Sequence, residues 1–249
     1  MDRALYIAMS GAKQNVLGQA AHSNNLANAS TTGFRQDLTQ ARSQPVFGEY
    51  YPSRAFAMEE RPATDFTPGT LVTTDGDLDL AIKNQGFFAV LGPDGKEAYT
   101  RRGDFMVDSL GRMVNGDGLQ AIGNGGPMVA PINEHLHVAD DGTVSIQGAG
   151  ETAAAVAELD RFKLVLPNIT SMEKGTDGLF RVRGAAPDYV APPDPTVQVT
   201  SGHLEHSNVS PVLALTEIMS LHRQYEMQVK MMKTVDENTQ STTQILMAQ

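Results

Sequence analysis

The spacing of apolar positions changes twice along this 249-residue chain. Between Ser207 and Gln249, Ile218, Leu221, Tyr225, Val229, Met232, Val235, Thr239, Thr242 and Leu246 follow one another at three or four residues. That period predicts one helix with a single narrow seam. Ser210 and Pro211 supply an N-cap and a proline at the first helical position, and no Gly or Pro follows. At 1.5 Å rise per residue the helix runs about 55 Å. So long a helix with so thin a seam asks for a partner helix, as in a coiled coil. At the other end, Leu5, Met9, Ala12, Val16, Gln19, Ser23 and Leu26 alternate at four and three. The Ala, Gly and Ser of this stripe let helices approach closely, and Gln19 can fix register. Either stripe alone also fits an amphipathic helix lying on a globular core. Two of them at the extreme termini, with a strand-like middle, favour a hairpin of terminal helices carrying a separate domain.

The first helix is expected to fray near Asn24, Asn25 and Asn28, because Asn competes with the helical backbone for hydrogen bonds. Gly33 is expected to end it with positive φ. The three Asn amides are either end-of-helix residues or donors and acceptors aimed at neighbouring subunits. Residues 34–74 contain Pro45, Pro52, Pro62 and Pro68 among Phe47, Tyr50, Tyr51, Phe56 and Phe66. This is too apolar for a disordered linker and predicts an extended arm or hairpin that lies against something. From Leu78 the period becomes two. Gly86 to Leu91 reads as a buried strand, and Pro93-Asp94-Gly95 turns the chain back into Glu97 to Arg101. Phe105 to Val107, Thr143 to Ile146, Leu159 to Leu166, Leu179 to Val182 and Val197 to Thr200 continue the pattern. Short strands with Gly-rich turns and no helix between them predict an all-β domain. The expected fold class is therefore α+β: long paired N- and C-terminal helices carrying an all-β middle. The expected domains are 1–33 with 203–249, a connecting arm at 34–74, and an outer β domain at 75–202.

Charge narrows the choice of partners. With 19 basic and 29 acidic residues the net charge is −10, and no Lys/Arg cluster is available to neutralise phosphates, so nucleic acid is an unsuitable partner. There is no cysteine, hence no disulfide or thiol chemistry. Ala4 to Met9 is too short for a signal-peptide core, and Asp2 precedes it. No run approaches the roughly 20 apolar residues of a membrane span. Export, if it occurs, needs a route without a cleaved signal.

No candidate for chemistry survives inspection of its spacing. Asp75, Asp77 and Asp79 begin like a calcium loop, but Leu80 and Gly86 stand where Gly and Glu are required. His135 with His137, and His203 with His206, lack carboxylates or thiolates at ligand spacing. Gly116-Asp117-Gly118 is not followed by a helix that could receive a phosphate. Arg102-Gly103-Asp104 matches an adhesive tripeptide by letters only. The expectation is a protein that is not an enzyme and needs no cofactor or metal.

Three blocks resemble the axial proteins of the bacterial flagellum, the rod and hook family, along nearly the whole chain. They are SNNLANASTTGFR (23–35), AIKNQGFFAV with AYTRRGDFMVDSLGRMVNGDG (within 81–118), and SGHLEHSNVSPVLALTEIMSLHRQYEMQVK (201–230). The length is far below that of hook proteins, and the opening MDRALYIAMSGA is similar to that of proximal-rod members. Distal-rod members usually open closer to S-L-W-I-A-x-T-G. Met113, where Leu is frequent, and Pro211 depart from the common pattern. The resemblance implies a structural subunit of the basal-body rod that transmits torque. Its terminal helices would form an inner layer around an export channel, with the β domain outside. Its implied partners are other rod subunits, copies of itself and the flagellar type III export apparatus, and its implied place is the rod within the periplasm. Expected subunit-interface residues are Leu5, Met9, Val16, Asn24, Asn25, Leu26, Asn28 and Gly33, with Ile218, Leu221, Tyr225, Val229, Met232 and Val235 of the C-terminal seam.

Overall fold

The computed structural model describes residues 2–47, 55–131, 135–147, 156–184, 186 and 189–247. Its contacts divide the chain into two units, one of residues 1–29, 36–65 and 209–249, the other of residues 30–35 and 66–208. Helix, strands and helix follow in the expected α+β order.

In the first unit, α1 (Asp2–Ala27) packs along α2 (Pro211–Met247). Pro211 stands at the first helical position, and Ala214 N–H donates to Ser210 O at 3.0 Å, as a proline-led start requires. Residues 36–65 form an antiparallel hairpin of β1 (Asp37–Pro45) and β2 (Ala55–Thr64), with a register shift between Leu38 and Gln40. The hairpin lies against α1, with Phe56 half-buried and Phe47 exposed. Tyr50 and Tyr51 lie outside the described residues.

The second unit is built on a five-stranded antiparallel sheet. Its order is Leu164–Val165, Phe87–Leu91, Glu97–Thr100, Phe180–Val182 and Met172–Lys174. Successive residues of Phe87–Leu91 point to opposite faces, and both faces are covered. Phe88 stacks with Phe105 at 5.2 Å and Phe162 at 6.0 Å between ring centroids, in a cluster completed by Leu80, Met113 and Val199. On the other face Phe87 meets Phe66 and Phe180, at 6.1 and 5.4 Å. A three-stranded sheet, His135–Val138, Thr143–Gln147 and Val156–Arg161, turns Leu136, Val138 and Val144 into the Phe88 cluster.

The sequence reading missed some strands. Met113–Asn115 and Met172–Lys174 are only three residues long, too short to show a period. His203–Glu205, assigned from sequence to the start of the helical region, is a strand paired with Leu71–Thr73. Among the described residues no helix is long and apolar enough to cross a membrane.

Candidate functional site

The pairing face of α1 is made of its smallest side chains. Ala8, Gly11, Ala12, Gly18 and Asn25 are buried. Gly11 and Ala12, three and four residues from Ala8, with Gly18 and Asn25 at successive sevens from Gly11, lie on one stripe. A Cβ added to Gly11 would stand 3.1 Å from the Gln228 side chain of α2. The helices therefore approach closely where glycine permits it. On α2, Ala214 is buried, while Ile218, Leu221, Tyr225, Met232 and Val235 are half-buried. Since α1 is the element on which α2 chiefly packs, this seam is used inside the chain.

The stripe expected from sequence on α1 is displaced by about one residue from the stripe observed. Ala12 is buried and Leu5, Gln19 and Leu26 are half-buried, but Met9, Val16 and Ser23 are exposed. Apolarity placed the larger side chains inward, whereas close approach of two backbones selects the smaller ones. The result is an outward apolar face. Met9 is 52% exposed and Val16 47%, beside Tyr6 and Leu17. On α2, Val229 is exposed, with Leu215, Met219, Met227 and Met231.

The asparagines divide by role. The helix does not fray at Asn24 but continues to Ala27. Asn25 is fully buried, and its amide closes a two-way clamp on a residue twelve positions away. Asn25 Nδ2 donates to Asp37 O at 2.8 Å, and Asp37 N–H donates to Asn25 Oδ1 at 3.0 Å. With both polar ends engaged on β1, the side chain no longer competes with its own helix. In the chain by itself Asn25 is therefore occupied internally, on β1. Asn28 ends the helix locally, its N–H and Nδ2 both donating to Asn24 O at 3.1 and 2.9 Å. Asn24 is exposed.

Gly33 has the expected positive φ, +67°, but α1 already ends at Ala27, so Gly33 does not terminate that helix. It is also buried, and an added Cβ would fall 2.4 Å from Arg101 C and Arg102 N. Its place in the chain is therefore inside the β-rich unit.

Beside Gly33 lies a cluster that the sequence reading did not find. Glu205 is almost wholly buried and pairs with both Arg35 and Arg101, whose side chains are 2% and 4% exposed. Arg101 Nη2 is 3.0 Å from Glu205 Oε2. Arg101 Nη1 also donates to Asn84 O and Gly86 O, both at 2.9 Å, fixing the turn that leads into the Phe87 strand. Glu205 Oε1 accepts Gly69 N–H at 2.9 Å, and Glu205 O accepts Gly33 N–H at 2.7 Å. Lys174 donates to Arg35 O at 2.8 Å and sits 3.7 Å over the Phe34 ring.

One carboxylate thus serves two buried guanidiniums. Burial pulls Arg101 well below the ordinary guanidinium range, to about 10, with Glu205 opposing and the Arg35 charge assisting, so it remains charged at neutral pH. Such a cluster can bind, orient and brace. Arg35, Arg101 and Glu205 each lie in a different one of the three recognisable blocks. That was the available signal: charged residues embedded in otherwise apolar or glycine-rich motifs.

Other motifs have local explanations. Arg102 Nε and Nη2 donate to Asp104 at 2.7 and 2.8 Å, and its Nη1 donates to Asp117 at 2.6 Å. The tripeptide Arg102-Gly103-Asp104 is folded onto itself. Among the described residues no group of His, Asp or Glu is placed to hold a metal ion.

Comparison with known proteins places these features in a family. Residues 5–35 match the family model described as flagella basal body rod protein. Residues 81–146 match the flagellar hook protein FlgE/F/G D1 domain, and 200–245 the flagellar basal body rod FlgEFG protein C-terminal region. The flagellar basal-body rod proteins FlgF of Escherichia coli (strain K12) and Salmonella typhimurium are each 39% identical over 249 residues, covering 99% of both chains compared. A FlgG rod protein of Buchnera aphidicola is 28% identical over 264 residues, covering 98% of this chain and 100% of its own. The matched segments contain Arg35, Arg101 and Glu205 respectively, so the buried cluster unites the three regions by which the family is defined. This chain belongs to the flagellar basal-body rod family and is FlgF-like within it.

Proposed function

We propose that this protein is a structural subunit of the proximal part of the flagellar rod. It joins other rod subunits and copies of itself around an export channel and transmits torque without catalysis or a cofactor. In this reading it reaches the periplasmic rod through the flagellar type III export apparatus. A single observation carries the assembly role. α1 meets α2 through its small residues and through a half-buried seam on α2, and the pair leaves Tyr6, Met9, Val16 and Leu17 of α1, and Leu215, Met219, Met227 and Met231 of α2, exposed. Val229 joins this outward set. Leu5, Leu26, Ile218, Leu221, Tyr225, Met232 and Val235 support it from the half-buried side, and Asn24 and Asn28 stand at its α1 end.

Met227 and Met231 lie four residues apart on α2 and are 59% and 54% exposed. Met227→Glu with Met231→Glu is expected to shift the stability of the free subunit by no more than about 0.5 kcal/mol, as for most surface changes. Incorporation into rods, scored in isolated basal bodies from cells lacking their own FlgF, should be lost. Normal incorporation and swimming by the double variant would refute the outward face as an assembly surface.

A further inference from the structure

We infer that Glu205 and Arg35 form a mechanical joint, pinning together the segments through which the chain enters and leaves the β-rich unit. The chain passes between its two units at residues 29/30, 35/36, 65/66 and 208/209. Gly33 and Arg35 lie between the first two passages, Gly69 follows the third, and Glu205 precedes the fourth. Glu205 bonds to all of them, through its backbone carbonyl to Gly33 N–H and through its carboxylate to Gly69 N–H and Arg35. Every connecting segment therefore meets one residue. All these atoms belong to the β-rich unit.

An ionic pin suits load. Apolar contacts are non-directional, whereas a buried carboxylate that leaves its guanidinium strands two charges. Directional hydrogen bonds also fix the spacing of the exits as well as their proximity. Arg101 anchors the pin to the sheet through Asn84 O and Gly86 O. Lys174, on the edge strand Met172–Lys174, holds the Phe34–Arg35 segment from the other side. Arg35 and Glu205 are positioning residues, and their contribution is to how rigidly the exits are held.

The test uses Arg35→Met, which leaves the balanced Arg101–Glu205 pair in place. In the purified chain, melting of the β-rich unit should stay close to wild type, while the Gly33 and Gly69 amides exchange about tenfold faster or more, as for a locally opened segment. In cells lacking their own FlgF, the variant should assemble and swim in dilute medium but lose speed under viscous load. Arg35→Lys, which keeps the charge, should recover loaded speed. Unchanged exchange at Gly33 and Gly69, wild-type speed under load, or unfolding of the β-rich unit by Arg35→Met would each overturn the joint; the last would make the pair ordinary core. The load readout rests on the rod reading above. If the wild-type chain itself fails to restore swimming, that reading fails, and amide exchange alone decides the joint.

Discussion

Tyr99 shows how far a single side chain can be read in advance. It lies in the Glu97–Thr100 strand, and alternation placed that strand in the β domain, yet nothing in the sequence marks its hydroxyl. The ring is buried, and its oxygen accepts Ala191 N–H at 2.9 Å. Burial raises the phenol well above its ordinary 10.0, against the opposing Ala191 hydrogen bond and with Glu97 adding to the rise. The sign follows from proton uptake. Above pH 10 the unfolded chain releases this proton while the folded chain keeps it, so stability is full below pH 10 and falls as pH rises further. Tyr99→Phe should cost about 1 kcal/mol at neutral pH through the stranded Ala191 N–H. It should also flatten the decline of stability between pH 10 and 11, measured by urea unfolding at each pH. An equally steep decline in the variant would remove Tyr99 as its cause. Gly33, by contrast, was legible, because a positive φ after a helix is a backbone requirement that few residue types meet.

At the scale of elements, periodicity found both helices and misplaced the face of one. The hydrophobic pattern of α1 selects Met9 and Val16, and the structure turns Gly11 and Gly18 inward. Helix–helix approach is governed by backbone separation, which glycine and alanine minimise, and transfer energies do not rank them first. The hairpin of β1 and β2 was foreseen only as an arm or hairpin, since β1 is largely exposed and carries little alternation. What ties it to α1 is the Asn25 clamp on Asp37. Asn25→Ala would remove two buried hydrogen bonds to Asp37, at about 0.5–1.5 kcal/mol for each. The expected result is faster amide exchange at Asp37 and in the first turns of the hairpin, with the Phe87–Leu91 amides unchanged. Uniform acceleration in both regions would mean that the clamp supports the whole chain rather than the hairpin.

For the whole molecule, apolar burial is unevenly shared. All three apolar clusters lie in the β-rich unit. The fully buried apolar residues described in the helical unit are Ala8, Ala12, Val209 and Ala214. A buried methyl group is worth about 0.8 kcal/mol, whereas ordering one residue's backbone costs roughly 1–2 kcal/mol. A dilute free subunit should therefore hold its β-rich unit and order its helices weakly. Limited proteolysis is expected to remove both terminal helices first and leave a resistant fragment near residues 66–208. Helices as resistant as the β-rich unit in the free subunit would contradict this ledger of buried surface.

What the sequence determined by itself was the order of periods: helix, alternation, helix, with proline and glycine marking the changes. Those follow from local rules, because each period is written within a few residues and backbone limits act on single positions. The three family blocks were legible for the same reason, as contiguous strings. Tertiary structure decided which side of α1 is inward, where Asn25 spends its amide, and that Arg35, Arg101 and Glu205 meet. These depend on partners separated by 12 residues for Asn25 and 170 for Arg35. A charged side chain reads as solvated until a partner across the fold removes it from water. Only folding supplies that partner, and so the three blocks mark Arg35, Arg101 and Glu205 as unusual charges without showing that they meet.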